Sequence, residues 1–154
     1  GCEQMGAVTY PDQQVKDYIA RNMVPVQLLN TAEPEATNYN ASWTPLFIVL
    51  DPEGKEHQRN TGFLPPDEFI PFLTLGIGKM HFDQENFEKA IECFEQVLNE
   101  YPDSEAAPEA FYFRGVSRFE KSHDASDLKE IYEEIREVYP ESEWAKKAEP
   151  YRLI

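Results

Sequence analysis

The chain is poor in cysteine and in basic residues, and it has no long apolar run. It contains two cysteines, and its 14 basic against 29 acidic residues give a net charge of -15. A surface of that sign repels phosphate backbones and anionic lipids, so we expect neither a nucleic-acid nor a membrane partner. The longest apolar run, Pro45–Leu50, is much shorter than the roughly 20 residues that cross a bilayer. These absences indicate a soluble, acidic protein of one domain or two small ones.

Motifs for several kinds of chemistry are also missing. There is no Ser-His-Asp signature, no phosphate-binding loop and no glycine-rich dinucleotide turn. His57, His81 and His123 have no cysteine or carboxylate partner at metal-ligand spacing, so we expect no metal and no other cofactor. Cys2 is terminal, whereas Cys93 lies on the apolar face of a helical pattern and is expected to be a packed, unreactive thiol. Two such cysteines form no disulfide framework, and they are consistent with either compartment, of which we favour the bacterial cytoplasm over the periplasm.

The first half of the chain combines helix and strand signals. Pro11 divides an N-terminal helical pattern into two short helices. Met23–Leu29 is short and mostly apolar, which predicts a buried strand. Leu46–Leu50 and Glu56–Phe63 flank a Pro-Glu-Gly-Lys turn and predict an antiparallel hairpin. The polar residues 31–42 predict mostly loop. We therefore expect an α/β domain with three strands.

The second half has only helix signals. Proline with acidic neighbours marks the start of a helix at Pro66. Further helices are predicted at Asn86–Tyr101, Pro108–Lys121 and Asp124–Tyr139, and Ser142–Leu153 is expected to cap the end. The second half is thus expected to be all-helical.

Three features of the first half occur together. Cys2 opens a helix, Thr44-Pro45 directly precedes an apolar strand, and Gly62–Phe69 leads from the hairpin into the next helix. In this combination, roughly residues 1–75 resemble the C-terminal part of the thioredoxin fold. The resemblance implies that Pro45 is cis and faces a C-x-x-C pair, of which Cys2 is the second, resolving cysteine.

The resemblance begins inside that active-site motif, and the chain has no initiator methionine. We therefore expect a thioredoxin-like domain that is truncated at its N-terminus and lacks the strand that delivers the motif. Without it, a gap is left between the strands at Val24 and Phe47. Either a longer natural protein or a partner chain fills this gap, and the second possibility implies a dimer through the open sheet.

The same resemblance implies a site for thiol chemistry. Cys2 would be the catalytic residue, and Trp43, Thr44 and Pro45 would bind the substrate. The backbone of Thr44 would be free to pair with a substrate segment. Three alternatives stay open: Cys2 has no redox role, Pro45 is a trans residue that starts a strand, or Trp43 fills the core.

A helical-hairpin pattern recurs in the second half. Gly78 and Ala90 stand at positions for small residues, Phe87 and Phe94 at positions for aromatic ones, and Pro102 at the terminating position. These residues resemble the tetratricopeptide repeat. A weaker second copy, in register only after a slightly longer turn, comprises Gly115, Leu128, Tyr132 and Pro140.

In such a repeat the first helix of each hairpin borders a concave surface. The residues that this resemblance places there are Leu75, Lys79, Phe82, Tyr112, Phe113 and Phe119. Lys79, Phe82, Tyr112 and Phe119 are the ones that we expect to contact a protein partner. The alternative is that the aromatic side chains form the core between the helices.

The two resemblances together imply a two-part protein. We expect an α/β thioredoxin-like domain at residues 1–70, then an all-α domain of tetratricopeptide-like helical hairpins at residues 71–154. The expected function is that of a thiol:disulfide oxidoreductase whose repeat module selects or positions a protein client. The alternative is a non-catalytic adaptor that binds a partner peptide, so whether the chain belongs to an enzyme stays open.

Overall fold

A computed structural model describes residues 1–154, and the chain begins with two short helical segments. Helix α1 (Cys2–Gln4) continues into a π-helical turn (Met5–Thr9), and helix α2 (Gln13–Asn22) follows. The carboxylate of Asp12 accepts the backbone N–H of Val15 at 3.0 Å, which satisfies a free donor in the first turn of α2. The predicted division of this region near Pro11 is confirmed.

The only sheet is an antiparallel hairpin. A short helix α3 (Glu35–Asn38) precedes strand β1 (Leu46–Leu50), which pairs with strand β2 (Glu56–Thr61). Strand β2 ends two residues before the predicted limit. Gly62 follows at φ 109°, a conformation that favours glycine and ends the extended backbone of β2.

The strand predicted at Met23–Leu29 is wrong, and the expected three-stranded sheet has two strands. Residues 24–28 make no backbone hydrogen bond, and the Val24 side chain is 88% exposed. A strand requires a partner for its N–H and C=O groups. The segment has none, and Pro25 has no N–H to offer. An apolar sequence with strand propensity therefore stays extended and unpaired.

The long helix α4 (Pro66–Asp83) joins the two halves of the molecule. Phe69 and Phe72, in its first half, pack with Met5 and Val15 in one apolar cluster. Leu75, one turn later, belongs to a second cluster that includes side chains of the following helices. The division expected between residues 70 and 71 thus falls inside a continuous helix.

Antiparallel helices complete the chain, as predicted. They are α5 (Phe87–Glu100), α6 (Ala107–Ser122), α7 (Ser126–Val138) and α8 (Glu143–Lys147), and a 3₁₀ turn (Glu149–Leu153) follows. Each of α5, α6 and α7 packs on the helix before it, while α8 lies against α6 and α7. None of the helices has the length and apolar character needed to span a membrane.

Two glycines permit the helices to cross closely. Gly78 of α4 lies against Phe94 of α5, and Gly115 of α6 lies against Ile131 of α7. The same number of residues separates each glycine from its partner, so the second hairpin repeats the first. The side chain against Gly115 is Ile131 rather than Tyr132, so the register predicted for the second copy is wrong by one residue at this contact.

Candidate functional site

The first residues of the chain lie against the loop before β1. A Cβ placed on Gly1 would lie 2.7 Å from Cδ of Pro45 and 3.4 Å from its Cγ, so the backbone of Gly1 contacts the proline ring. Pro45 is buried, its peptide bond with Thr44 is cis, and its carbonyl accepts the N–H of Gly62 at 2.8 Å. The start of α1 and the Thr44-Pro45 loop therefore form one site.

The groups at this site that could act on another molecule are exposed. Cys2 is a free, exposed thiol. Trp43 is 72% exposed and so does not fill the core. Thr44 is exposed, and its backbone makes no hydrogen bond within the chain. The site thus offers a thiol, an indole face and one unpaired peptide group on a buried proline support.

A second group of interest is a row of aromatic rings on the helical hairpins. Phe82 of α4 meets Phe113 of α6 at a centroid distance of 5.3 Å, and Phe113 meets Trp144 of α8 at 5.5 Å. Tyr112 packs on Trp144 at 5.2 Å, and its hydroxyl lies 2.8 Å from that of Tyr151. We call Phe82, Tyr112, Phe113 and Trp144 the aromatic row; all four are half-buried.

Comparisons with protein-family models match the first half of the chain and the beginning of the second. A model described as a thioredoxin-like domain matches residues 1–76, and a tetratricopeptide repeat model matches residues 74–104. The chain carries a thioredoxin-like domain followed by a tetratricopeptide repeat. Comparisons with curated proteins and with solved structures found no match. The two matched regions meet inside α4.

The helical hairpins use several of the expected partner-binding side chains internally. Lys79 donates to Gln58 at 3.1 Å and forms an ion pair with Glu109 at 2.8 Å. Phe82 packs on Phe87 as well as on Phe113. Phe119 is half-buried and pairs with no other ring. These contacts favour the alternative in which much of this surface is core between the helices.

Burial makes the second cysteine a poor nucleophile. Cys93 is half-buried on α5, and a Cβ on Gly78 would lie 3.0 Å from its Cβ. Burial raises the pKa of the Cys93 thiol to about 11, and the nearby Glu92 carboxylate acts in the same direction. Because the thiolate is the reactive form, this thiol is suited to packing rather than to exchange.

Sequence reasoning missed a cluster around His57. Its Nε2 lies 2.8 Å from Oδ2 of Asp51, and its Nδ1 lies 2.7 Å from Oδ2 of Asp83. The His57 side chain is 1% exposed. Asp83 lies 26 residues further along the chain, on a different element, so no local spacing pattern could indicate the contact.

Proposed function

We propose that the thioredoxin-like domain takes part in thiol:disulfide exchange and that Cys2 supplies one of the thiols. The observation that carries this proposal is the contact of Gly1 with Pro45, because it sets the Cys2 backbone beside the loop that bears Trp43 and Thr44. An exposed thiol, together with a neighbouring loop that carries an exposed ring and an unpaired peptide group, can meet an extended substrate segment.

The dithiol form of this reaction needs a second cysteine. A thiolate two places before Gly1 would attack a client disulfide, forming a mixed disulfide and releasing one client thiolate. The Cys2 thiolate would then attack the protein sulfur of that mixed disulfide, which releases the second client thiolate and leaves a protein disulfide. Client sulfur is reduced and protein sulfur is oxidised, so the electrons balance.

The test is to obtain the coding sequence upstream of Gly1 and to assay the complete protein for disulfide reduction. We expect a C-x-x-C, activity in the wild type, and loss of turnover in Cys2→Ser with a trapped mixed disulfide. Cys93→Ser is the matched control, because it removes the other free cysteine of the chain and should retain activity. Absence of the upstream cysteine together with absence of activity would overturn the redox proposal.

A second candidate function is that of a non-catalytic adaptor. The specific observation in its favour is the half-buried aromatic row on α4, α6 and α8. Its Trp144 ring lies beside Lys147, whose Nζ is 3.8 Å from the ring centroid. Two single variants, Phe82→Ala and Trp144→Ala, should each lower the capture of a partner by the complete protein. Unchanged capture by both folded variants would exclude this surface.

We also propose that the free edge of β1 can support self-association. Strand β1 pairs with β2 on one side only, and residues 36–50 carry no charge in a chain of net charge -15. Analytical ultracentrifugation of the wild type beside Ile48→Lys tests this proposal. We expect a dimer that the substitution dissociates, and a monomeric wild type would overturn the proposal.

A further inference from the structure

His57 occupies an irregular position in the hairpin. In the register of the two strands, Val49 pairs with Gln58 and Leu50 pairs with Glu56, so His57 has no partner in β1. An extra residue of this kind forms a β-bulge, and bulges redirect the side chains near them. Here the imidazole is buried between the end of β1 and the last residue of α4.

Both ring nitrogens of His57 face carboxylate oxygens. Asp51 lies at 2.8 Å from Nε2 and Asp83 at 2.7 Å from Nδ1. An ionised carboxylate only accepts hydrogen bonds, and a neutral imidazole has one N–H. Both contacts are therefore made at once by the imidazolium form, which has two donors.

The two carboxylates differ in the hydrogen bonds that remain to them if His57 loses one ring proton. Asp51 also accepts the backbone N–H groups of Glu53 and Lys55, at 3.0 Å and 2.9 Å. Asp83 has no other hydrogen bond or ion pair, and it is the last residue of α4. A negative charge at a helix C-terminus is repelled by the helix dipole. The contact with Asp83 is therefore the one that depends on the second ring proton.

We propose that His57 is a proton-dependent latch between the hairpin and helix α4. In the imidazolium form it ties the last turn of α4, and with it the first helix of the tetratricopeptide repeat, to the thioredoxin-like domain. When His57 loses one ring proton, Asp83 loses its hydrogen bond to the ring. Asp51 still accepts the backbone N–H groups of the hairpin turn. The latch therefore closes at lower pH and opens as pH rises.

Other charged side chains on the surrounding elements have partners or point elsewhere. Arg59 pairs with Glu56 on β2, and Lys79 of α4 pairs with Glu109 of α6. Glu53 and Lys55 in the hairpin turn are exposed and form no ion pair. His81 of α4 lies near Lys89 and Glu92 of α5. Asp51 and Asp83 are thus the charges in direct contact with the imidazole.

The test is a long-range ¹H–¹⁵N NMR spectrum of the histidine side chains in the full chain. The spectrum is recorded at neutral pH. We expect both ring nitrogens of His57 to show the imidazolium signature, because each of them faces a carboxylate oxygen. A neutral His57 at that pH in the wild type would overturn the proposal without any need for a variant.

Amide hydrogen exchange tests the opening of the latch. As His57 loses its proton, exchange in residues 80–83 should rise about tenfold beyond the intrinsic effect of pH. Asp83→Asn should abolish this extra rise, because it removes the carboxylate that Nδ1 of His57 contacts. Glu85→Gln is the matched control, since it removes a nearby exposed charge that has no contact with His57. If amide exchange in the wild type follows its intrinsic pH dependence at every pH, the latch proposal is contradicted.

Discussion

Gly78 of α4 lies directly against the ring of Phe94 of α5. A Cβ at position 78 would lie 2.6 Å from Cε1 of Phe94 and 2.9 Å from its Cδ1. Phe94 is fully buried at the centre of the second apolar cluster, so its ring has little room to move. The close approach of these two helices therefore depends on the absence of a side chain at position 78.

Gly78→Ala should destabilise the protein by about 1–3 kcal/mol, because the added methyl overpacks the crossing of α4 and α5. Urea unfolding followed by circular dichroism measures the change. The control is Gly6→Ala, also in a helical segment, where a Cβ would meet nothing within 4 Å. We expect the control to be neutral or slightly stabilising. Equal stability of the two variants would contradict the packing account.

The carboxylate of Asp51 should make the free energy of unfolding depend on pH in the acid range. Its hydrogen bond with His57, and then that with the N–H of Lys55, hold the pKa of Asp51 below its ordinary value. A lowered folded-state pKa contributes stability that is present above the unfolded-state value and is lost as pH falls through the folded-state value. The stability difference between wild type and Asp51→Asn should therefore shrink from about pH 5 to about pH 3.

Urea titrations at each pH measure that difference. Asp103→Asn is a suitable control, since Asp103 is exposed and makes no side-chain hydrogen bond or ion pair. Its difference from the wild type should stay nearly constant over the same range. A constant difference for Asp51→Asn as well would show that the His57 contact does not stabilise the ionised carboxylate.

The two thiols should differ strongly in their reaction with a maleimide in the native protein. Burial raises the pKa of Cys93 from 9.0 to about 11, which cuts its thiolate fraction near neutral pH roughly 100-fold. Cys2 is exposed. Mass spectrometry after a short exposure should find the label on Cys2, and Cys2→Ser should remain almost unlabelled until denaturant is added. Rapid native labelling of Cys2→Ser would contradict the burial of Cys93.

A hydrogen bond between two hydroxyls should contribute to the packing of α2 on α4. The hydroxyl of Tyr18 lies 2.7 Å from that of Thr74, which in turn donates to the carbonyl of Ile70 at 2.8 Å. Tyr18→Phe should cost about 1 kcal/mol of unfolding free energy. A double-mutant cycle with Thr74→Val isolates the interaction free energy of the two hydroxyls. A coupling of zero would show that this hydrogen bond does not stabilise the packing of α2 on α4.

The structure of the helical half agrees closely with the predictions from its sequence. Helix α4 begins at the predicted residue, and α5 to α7 begin and end within two residues of their predicted limits. The signals for these limits, which are proline near the start of α4, charged helix formers and apolar residues at helical spacing, act over a few residues. Gly78 was also predicted as a small residue of the first repeat helix, since it falls at a defined place in the repeat pattern. That the close approach to Phe94 lies at this glycine was shown only by the structure. The second copy was displaced by one residue, because Ile131 and Tyr132 are both apolar enough to face a neighbour.

The strand predicted at Met23–Leu29 shows the limit of local patterns. Val24, Val26 and Leu28 have the composition of a buried strand, yet all three are exposed. A strand is completed only by hydrogen bonds to another strand, and that partner cannot be inferred from the segment itself. The hairpin was predictable because both of its strands and their turn are adjacent in the chain.

By itself, the sequence determined the helical hairpins, the β-hairpin and the likeness of each half to a known family, because periodicity, turn residues and short motifs are local. The tertiary structure alone decided that Gly1 rests on Pro45, that Lys79 is held by Glu109, and that His57 lies between Asp51 and Asp83. These contacts join residues on different elements. Their geometry depends on how the hairpin and helices pack together, which no single segment of the chain specifies.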